Sequence, residues 1–95
     1  MVKHILIDIL EENTLVESSV INKLIEKCRE IFKENIDSHE IKLYYCNKGV
    51  AYVQKRNSML LVDLIDSEEV FDAILGVLPR ENLMIRLVER GAPEN

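Results

Sequence analysis

The sequence predicts an α+β fold: a two-layer sandwich in which two helices cover one face of a mixed, mainly antiparallel five-stranded sheet. Three observations predict it. Thr14 to Ile36 carries the apolar periodicity of a long helix, several short segments alternate apolar and polar residues as strands do, and a second, shorter helical stretch follows Ile65. The predicted order β-α-β-β-β-α-β is a ferredoxin-like arrangement with one additional strand.

The first strand is predicted at Lys3 to Leu10, where isoleucines alternate with other residues. The long helix then follows, with Thr14 and Glu17 at the spacing of a capping box. Its apolar stripe comprises Leu15, Val16, Val20, Ile21, Leu24, Ile25, Cys28, Ile31, Phe32 and Ile36. An alternative makes Thr14 to Glu17 a short strand and starts the helix after Ser18 or Ser19, which would give a profilin-like or roadblock-like layout.

An antiparallel meander is predicted next, with strands at Ile41 to Cys46, Val50 to Gln54 and Met59 to Ile65. Asn47-Lys48-Gly49 supplies the first turn, because Asn and Gly tolerate positive φ. Lys55 to Ser58 supplies the second turn.

The second helix is expected to begin after Asp66 or Ser67, either of which can cap it, and to end before Pro79. Leu83 to Arg90 alternates again and is predicted as the last strand. Residues 1–90 therefore form one α+β domain, and residues 91–95 are expected to be a flexible tail.

Composition limits the function classes. A chain of 95 residues can bury one core, and a net charge of −5 disfavours nucleic acid as a partner. No apolar run approaches the length of a membrane span, and the N-terminus has no signal-peptide layout, so a cytoplasmic protein is expected. Cys28 and Cys46 form neither a disulfide framework nor a metal-binding spacing, and Cys28 is interpreted as a small core residue.

No catalytic, cofactor-binding or metal-binding residue is predicted. Gly49, Gly76 and Gly91 are too far apart for a phosphate-binding loop. The loop at His39 is interpreted as a turn, and Cys46 has no assignable base, so neither is expected to have a chemical role. The sequence therefore predicts that the protein is not an enzyme.

The predicted sheet has a second face that no helix covers. If Ile5, Leu43, Val62 and Ile85 face the helices, the opposite face is rich in Tyr, Met, Arg and branched apolar residues, which are enriched in interfaces. We expect a protein partner or a second copy to bind there, in a non-catalytic interaction or dimerisation module that serves as a subunit or adaptor. The predicted contact residues are Leu6, Tyr44, Tyr52, Met59, Leu61, Met84 and Arg86.

The alternative function is an RNA-binding accessory subunit, because sheets of this kind stack bases on exposed aromatic residues flanked by basic ones. Tyr44 and Tyr52 would stack the bases, and the flanking basic residues would be Lys42, Lys55, Arg56 and Arg86.

Two resemblances concern the order of elements. The strand Lys3 to Leu10, the long helix and the hairpin at Gly49-Val50 together resemble the small protein subunits of ribonuclease P, which implies an RNA-associated role. Glu40 to Ile65, followed by a helix, resembles the second half of roadblock-type dimerisation modules, which implies self-association. Many unrelated folds share an element order, so no functional residue is carried over from either family.

Overall fold

A computed structural model describes residues 2–9, 14–56, 59–78 and 83–90, with the backbone alone at residues 2, 3, 14 and 83–90. The described residues form six strands and two helices in the order β-α-β-β-β-β-α-β. Their bounds are β1 Val2–Ile9, α1 Thr14–Lys27, β2 Arg29–Ile36, β3 His39–Cys46, β4 Gly49–Arg56, β5 Met59–Ile65, α2 Glu68–Leu75 and β6 Leu83–Arg90.

The strands form one sheet in the order β2-β3-β4-β5-β1-β6, and every neighbouring pair is antiparallel. β2 to β5 are a continuous meander, and β1 lies between β5 and β6. This confirms the predicted α+β class with its largely antiparallel sheet and two helices. The sheet has one strand more than expected, and the predicted tail at residues 91–95 lies outside the described part of the chain.

The additional strand is β2, which replaces the last part of the predicted long helix. α1 begins at Thr14, as preferred over the strand alternative, but it ends at Lys27. A bulge in β2 explains why this segment was predicted as helix. Glu30 pairs with Tyr44 and Phe32 pairs with Leu43, so Ile31 is an extra residue. The bulge interrupts the period-two alternation, which leaves the apolar residues at a spacing that imitates a helix.

A disulfide joins Cys28, immediately after α1, to Cys46, the last residue of β3. Cys28 packs against the core, which agrees with its interpretation as a small core residue, but the statement that the two cysteines form no framework is wrong. Sequence spacing could not reveal the bond, because 18 positions separate the two residues and β2 must turn back for them to meet. The bond fixes the end of the helix against the end of the strand.

The core lies between the two helices and one face of the sheet. Val20 and Leu24 of α1 and Val70 and Ile74 of α2 are buried and belong to a single hydrophobic cluster. The strands contribute Ile5, Ile7, Ile9, Tyr44, Cys46, Ala51, Val53, Leu60, Val62 and Leu64. Both helices therefore pack on the same face, as predicted.

The turns and helix ends follow local chemistry. Asn47 has φ 61°, which agrees with the predicted turn, and Asp37 and Asp66 also adopt positive φ. Ser67 precedes α2, but its hydroxyl donates to the backbone oxygens of Ile65 and Val50, at 3.0 and 3.3 Å, instead of capping the helix. Ser67 thus connects the start of α2 to the sheet. In the described part of the chain, neither helix has the length and apolar character needed to cross a membrane.

Gly49 lies where two backbone segments approach closely, and this gives a first prediction. A Cβ at this position would lie 2.6 Å from Ser67 Oγ and would press on the backbone oxygens of Ile65 and Asp66. Gly49→Ala is expected to lower the free energy of unfolding by roughly 1–3 kcal/mol, the usual cost of overpacking. Urea denaturation measures the change.

Gly76 is the matched control for this substitution. It follows α2 in a right-handed helical conformation with φ −66°, and a Cβ there would approach no closer than 3.4 Å to Ala73 O. Gly76→Ala is therefore expected to be neutral or to add up to about 1 kcal/mol, by reducing the entropy of the unfolded chain. Equal destabilisation by both substitutions would contradict the close approach at Gly49.

The disulfide gives a second prediction, since it closes a loop that spans 18 positions. Reduction should lower the free energy of unfolding by about 3 kcal/mol, because the unfolded chain regains loop entropy. Urea unfolding with and without a thiol reductant measures this loss. The double variant Cys28→Ser with Cys46→Ser should unfold at the midpoint of the reduced protein and should not respond to the reductant. An unchanged wild-type midpoint under reduction would contradict the stabilising role of the bond.

Candidate interaction surface

The sheet face opposite the helices forms the candidate interaction surface, which we call the open face. Strand register defines it, because residues directly opposite each other on neighbouring strands point to the same side. Leu6 pairs with Asp63, Asp63 with Tyr52, Tyr52 with Leu43, and Leu43 with Phe32. These five residues form one row across five strands.

The neighbouring rows are also rich in apolar side chains. Tyr45, Phe32, Ile36 and Met59 remain 40–47% exposed. The other apolar residues on this side are half-buried. The apolar members of the open face are Leu6, Phe32, Ile36, Ile41, Leu43, Tyr45, Val50, Tyr52, Met59, Leu61 and Ile65. Apolar side chains gathered on an exposed sheet face favour an interaction surface.

Polar residues also lie on the open face, Asp63 and Gln54 among the central strands and others nearer the edges. His4 Nδ1 lies 3.2 Å from Asp63 Oδ1 in a partly buried pair on β1 and β5. At the β2 end, the Arg29 guanidinium lies 5.9 Å from the centroid of the Tyr45 ring, within the range of a cation–π contact. A protein partner would therefore meet apolar side chains with polar and charged groups between them, a mixture that protein interfaces also have.

The structure places four of the predicted contact residues on the open face. Leu6, Tyr52 and Leu61 are half-buried there, and Met59 is exposed. The backbones of Met84 and Arg86 pair with Asp8 and Leu6, while their side chains lie outside the described part of the structure.

Tyr44 requires a correction, because it lies on the helix-facing side and is fully buried. Leu43, expected to face the helices, is on the open face instead. The phase of β3, meaning which of its alternate residues face the helices, is therefore the opposite of the predicted one. The disulfide explains why: Cys46 must point towards the end of α1 to reach Cys28, and alternation along β3 then carries Tyr44 to the same side.

The sequence reasoning missed Phe32, Ile36, Ile41, Leu43 and Tyr45 as members of the open face. Phe32 and Ile36 were assigned to a helix, and the other three were assigned to the opposite side of β3. Only an assumed bond between Cys28 and Cys46 could have given these assignments for β3 from the sequence, because it turns Cys46 towards α1.

The Tyr44 hydroxyl has an unusual environment for a side chain in the core. It is buried and has no hydrogen-bond partner among the residues that the structure describes. Burial raises the pKa of Tyr44 above its ordinary value of 10.0, and the negative charges of Glu30 and Glu40 raise it further. The ring contributes to the core, while the hydroxyl is a cost to stability.

This environment gives a third prediction. Tyr44→Phe should leave the free energy of unfolding at pH 7 unchanged or raise it by about 1 kcal/mol, because it removes an unpaired buried hydroxyl. Tyr44→Ala should lower it by about 3–5 kcal/mol through loss of the ring. Urea denaturation distinguishes the two, and Tyr45→Phe on the exposed neighbour serves as the control.

The pH dependence of stability follows from the same group. Above pH 10.0 the unfolded tyrosine releases its proton while the folded one keeps it, so the folded state binds more protons. Stability contributed by protonated Tyr44 is complete below pH 10.0 and decreases as pH rises towards the folded pKa. Tyr44→Phe should lose less stability than the wild type above pH 10.0, and equal losses would contradict the raised pKa.

The residues of the RNA-binding alternative do not share one surface. Tyr44 is buried among core residues, whereas Tyr52 is on the open face. Lys42 lies opposite Val53 on the helix-facing side. On that side as well, Lys55 Nζ donates to Glu17 Oε1 at 3.0 Å. Of the set, Tyr52 and Arg56 remain together on the open face, and the side chain of Arg86 lies outside the described residues.

Two clefts border Cys46 and His39, the residues whose possible chemical role the sequence raised. One, of about 230 Å³, lies between the Asn47-Lys48 turn and the start of α2 and is lined in part by Cys46. Cys46 is bound to Cys28 and so offers no thiol there. The other, of about 270 Å³, lies beside His39 with Asp37 and Glu40. Among the described residues, no group of three or more His, Cys, Asp or Glu side chains is placed to hold a metal ion.

Comparison with known proteins adds no family assignment: no protein-family model matches the chain, and no curated protein matches it.

Proposed function

We propose that this chain is a non-catalytic protein–protein interaction module, a subunit or adaptor of a larger complex, whose open face binds a protein partner or a second copy of the chain. The observation that carries the proposal is the row across β1, β5, β4, β3 and β2 on the side away from both helices, in which every member except Asp63 is an aliphatic or aromatic side chain. Antiparallel sheets with one face in water usually carry alternating polar residues on that face.

Two further features support a protein as the occupant. Tyr45 and Phe32 are both 47% exposed, and aromatic side chains are the commonest anchors of protein interfaces. The net charge of −5 disfavours phosphate-rich partners. These features agree with a small acidic protein that binds another protein and does not catalyse a reaction.

The fourth prediction tests the open face directly. Leu43→Asp and Tyr45→Asp place a carboxylate in the apolar surface without entering the core, and binding of the partner should fall about tenfold or more because the charge must be desolvated. Proximity labelling in cells that express the protein identifies the partner. Titration of the two purified proteins, or light scattering for self-association, then measures the affinity.

The control is Ile25→Asp on α1, which introduces the same carboxylate at a residue that is 61% exposed on the opposite layer. It should bind the partner as the wild type does. Equal binding by the open-face variants and the wild type, in folded proteins with matching circular dichroism, would contradict the proposal.

We also propose a cytoplasmic location. The bond between Cys28 and Cys46 is the observation that weighs against it. Disulfides persist mainly in oxidising compartments, with the intracellular proteins of hyperthermophiles as the main exception. Cell fractionation tests the location, and recovery of the protein in the cytoplasmic fraction is the expected result.

A further inference from the structure

The strand β2 is an edge strand exposed on both faces. All eight of its residues, Arg29–Ile36, are exposed, and among the described strands it hydrogen-bonds only to β3. Its outer edge therefore presents backbone groups that can pair with another strand. Ile31, Phe32 and Ile36 on this strand are 50, 47 and 44% exposed, so pairing would also cover apolar surface.

The charges of β2 are self-complementary when the strand is reversed. Arg29, Glu30, Ile31, Phe32, Lys33 and Glu34 alternate as positive, negative, two apolar, positive and negative. If a second copy runs antiparallel with its centre between Ile31 and Phe32, Arg29 lies opposite Glu34 of the other copy and Glu30 lies opposite Lys33. Ile31 then lies opposite Phe32.

The bulge at Ile31 makes this register geometrically consistent. A twofold axis perpendicular to a sheet keeps every side chain on its own face, so opposed residues must share a face. In a regular strand Arg29 and Glu34 would point to opposite faces. Because of the bulge, Arg29 pairs with Tyr45 and Glu34 with Ile41, and both therefore point to the open face.

The second pair obeys the same rule on the other side. Glu30 pairs with Tyr44 and Lys33 with Lys42, so both lie on the helix-facing side. A bulge and a lysine usually protect an edge from pairing. Here the bulge aligns the charges, and a shift of the axis to Lys33 would place two lysines opposite each other.

We propose that the β2 edge binds a second copy of this chain, forming a twofold-symmetric dimer in which the two sheets are continuous. Neighbouring contacts already orient the charges that would pair. Arg29 lies over the Tyr45 ring, and Lys33 Nζ lies 3.8 Å from Glu40 Oε2 while its side chain stays 49% exposed. The proposal goes beyond the open-face function and does not depend on it.

Charge substitutions on the oxidised 95-residue chain test this dimer, with sedimentation equilibrium as the measurement. The wild type should show a species of twice the 11.0 kDa chain mass at low ionic strength. Glu30→Lys places two positive side chains opposite each other, and Lys33→Glu places two negative ones. Each variant alone is expected to raise the dimer Kd about tenfold or more, because like charges directly opposite each other repel.

An equimolar mixture of the two variants is the most direct test of the proposed register. The Glu30→Lys chain offers positive groups at both positions and the Lys33→Glu chain offers negative groups at both, so the mixture should form a heterodimer at least as well as the wild type. Glu26→Lys on α1 is the control for Glu30→Lys, since it makes the same change in net charge away from the edge and should leave Kd unchanged.

Three results would overturn the proposal: a wild type that stays monomeric at high concentration, a dimer that none of the β2 substitutions weakens, or a mixture that fails to associate when the wild type does. A dimer that is weakened by Leu43→Asp and is unaffected by Glu30→Lys would place the contact on the open face instead. Loss of partner binding in Leu43→Asp with an intact β2 dimer would leave both proposals standing.

Discussion

The bond between Cys28 and Cys46 joins the residue after α1 to the last residue of β3, and the two most important features of the molecule follow from it. It holds the end of α1 and the start of β2 against the end of β3, and it turns the even-numbered residues of β3 towards the helices. Tyr44 is thereby brought into the core, and Leu43 and Tyr45 are left on the open face. The surface that we propose for binding is thus defined by a contact on the opposite side of the sheet.

The sequence was sufficient where local chemistry decides the structure. Strong alternation predicts β1, β5 and β6, and the positive φ of Asn47 agrees with a turn that Asn favours. It was insufficient at β2 and β3, where a distant partner decides. The bulge at Ile31 interrupts the alternation of β2, and the phase of β3 depends on Cys28, 18 positions away. The apolar character of the open face was predictable, but the identity of several of its members was not.

The open face and the β2 edge are adjacent, because Phe32 and Ile36 belong to both. A dimer through the edge would join the open face of one copy to that of the other and so double the surface offered to a partner. Continuous sheets of this kind combine backbone hydrogen bonds, which provide affinity, with side-chain patterns that provide specificity. In this chain the pattern would be the alternating charge of β2.

The phase of β3 is the claim on which the open face depends, and two neighbouring residues of the same type test it. Hydroxyl-radical footprinting of the oxidised native protein, followed by peptide mass spectrometry, measures the oxidation of Tyr44 and Tyr45 separately. Tyr44 is fully buried and Tyr45 is 47% exposed, so Tyr45 should be oxidised and Tyr44 protected. Preferential oxidation of Tyr44 would show that β3 presents its other side to solvent and would contradict the account.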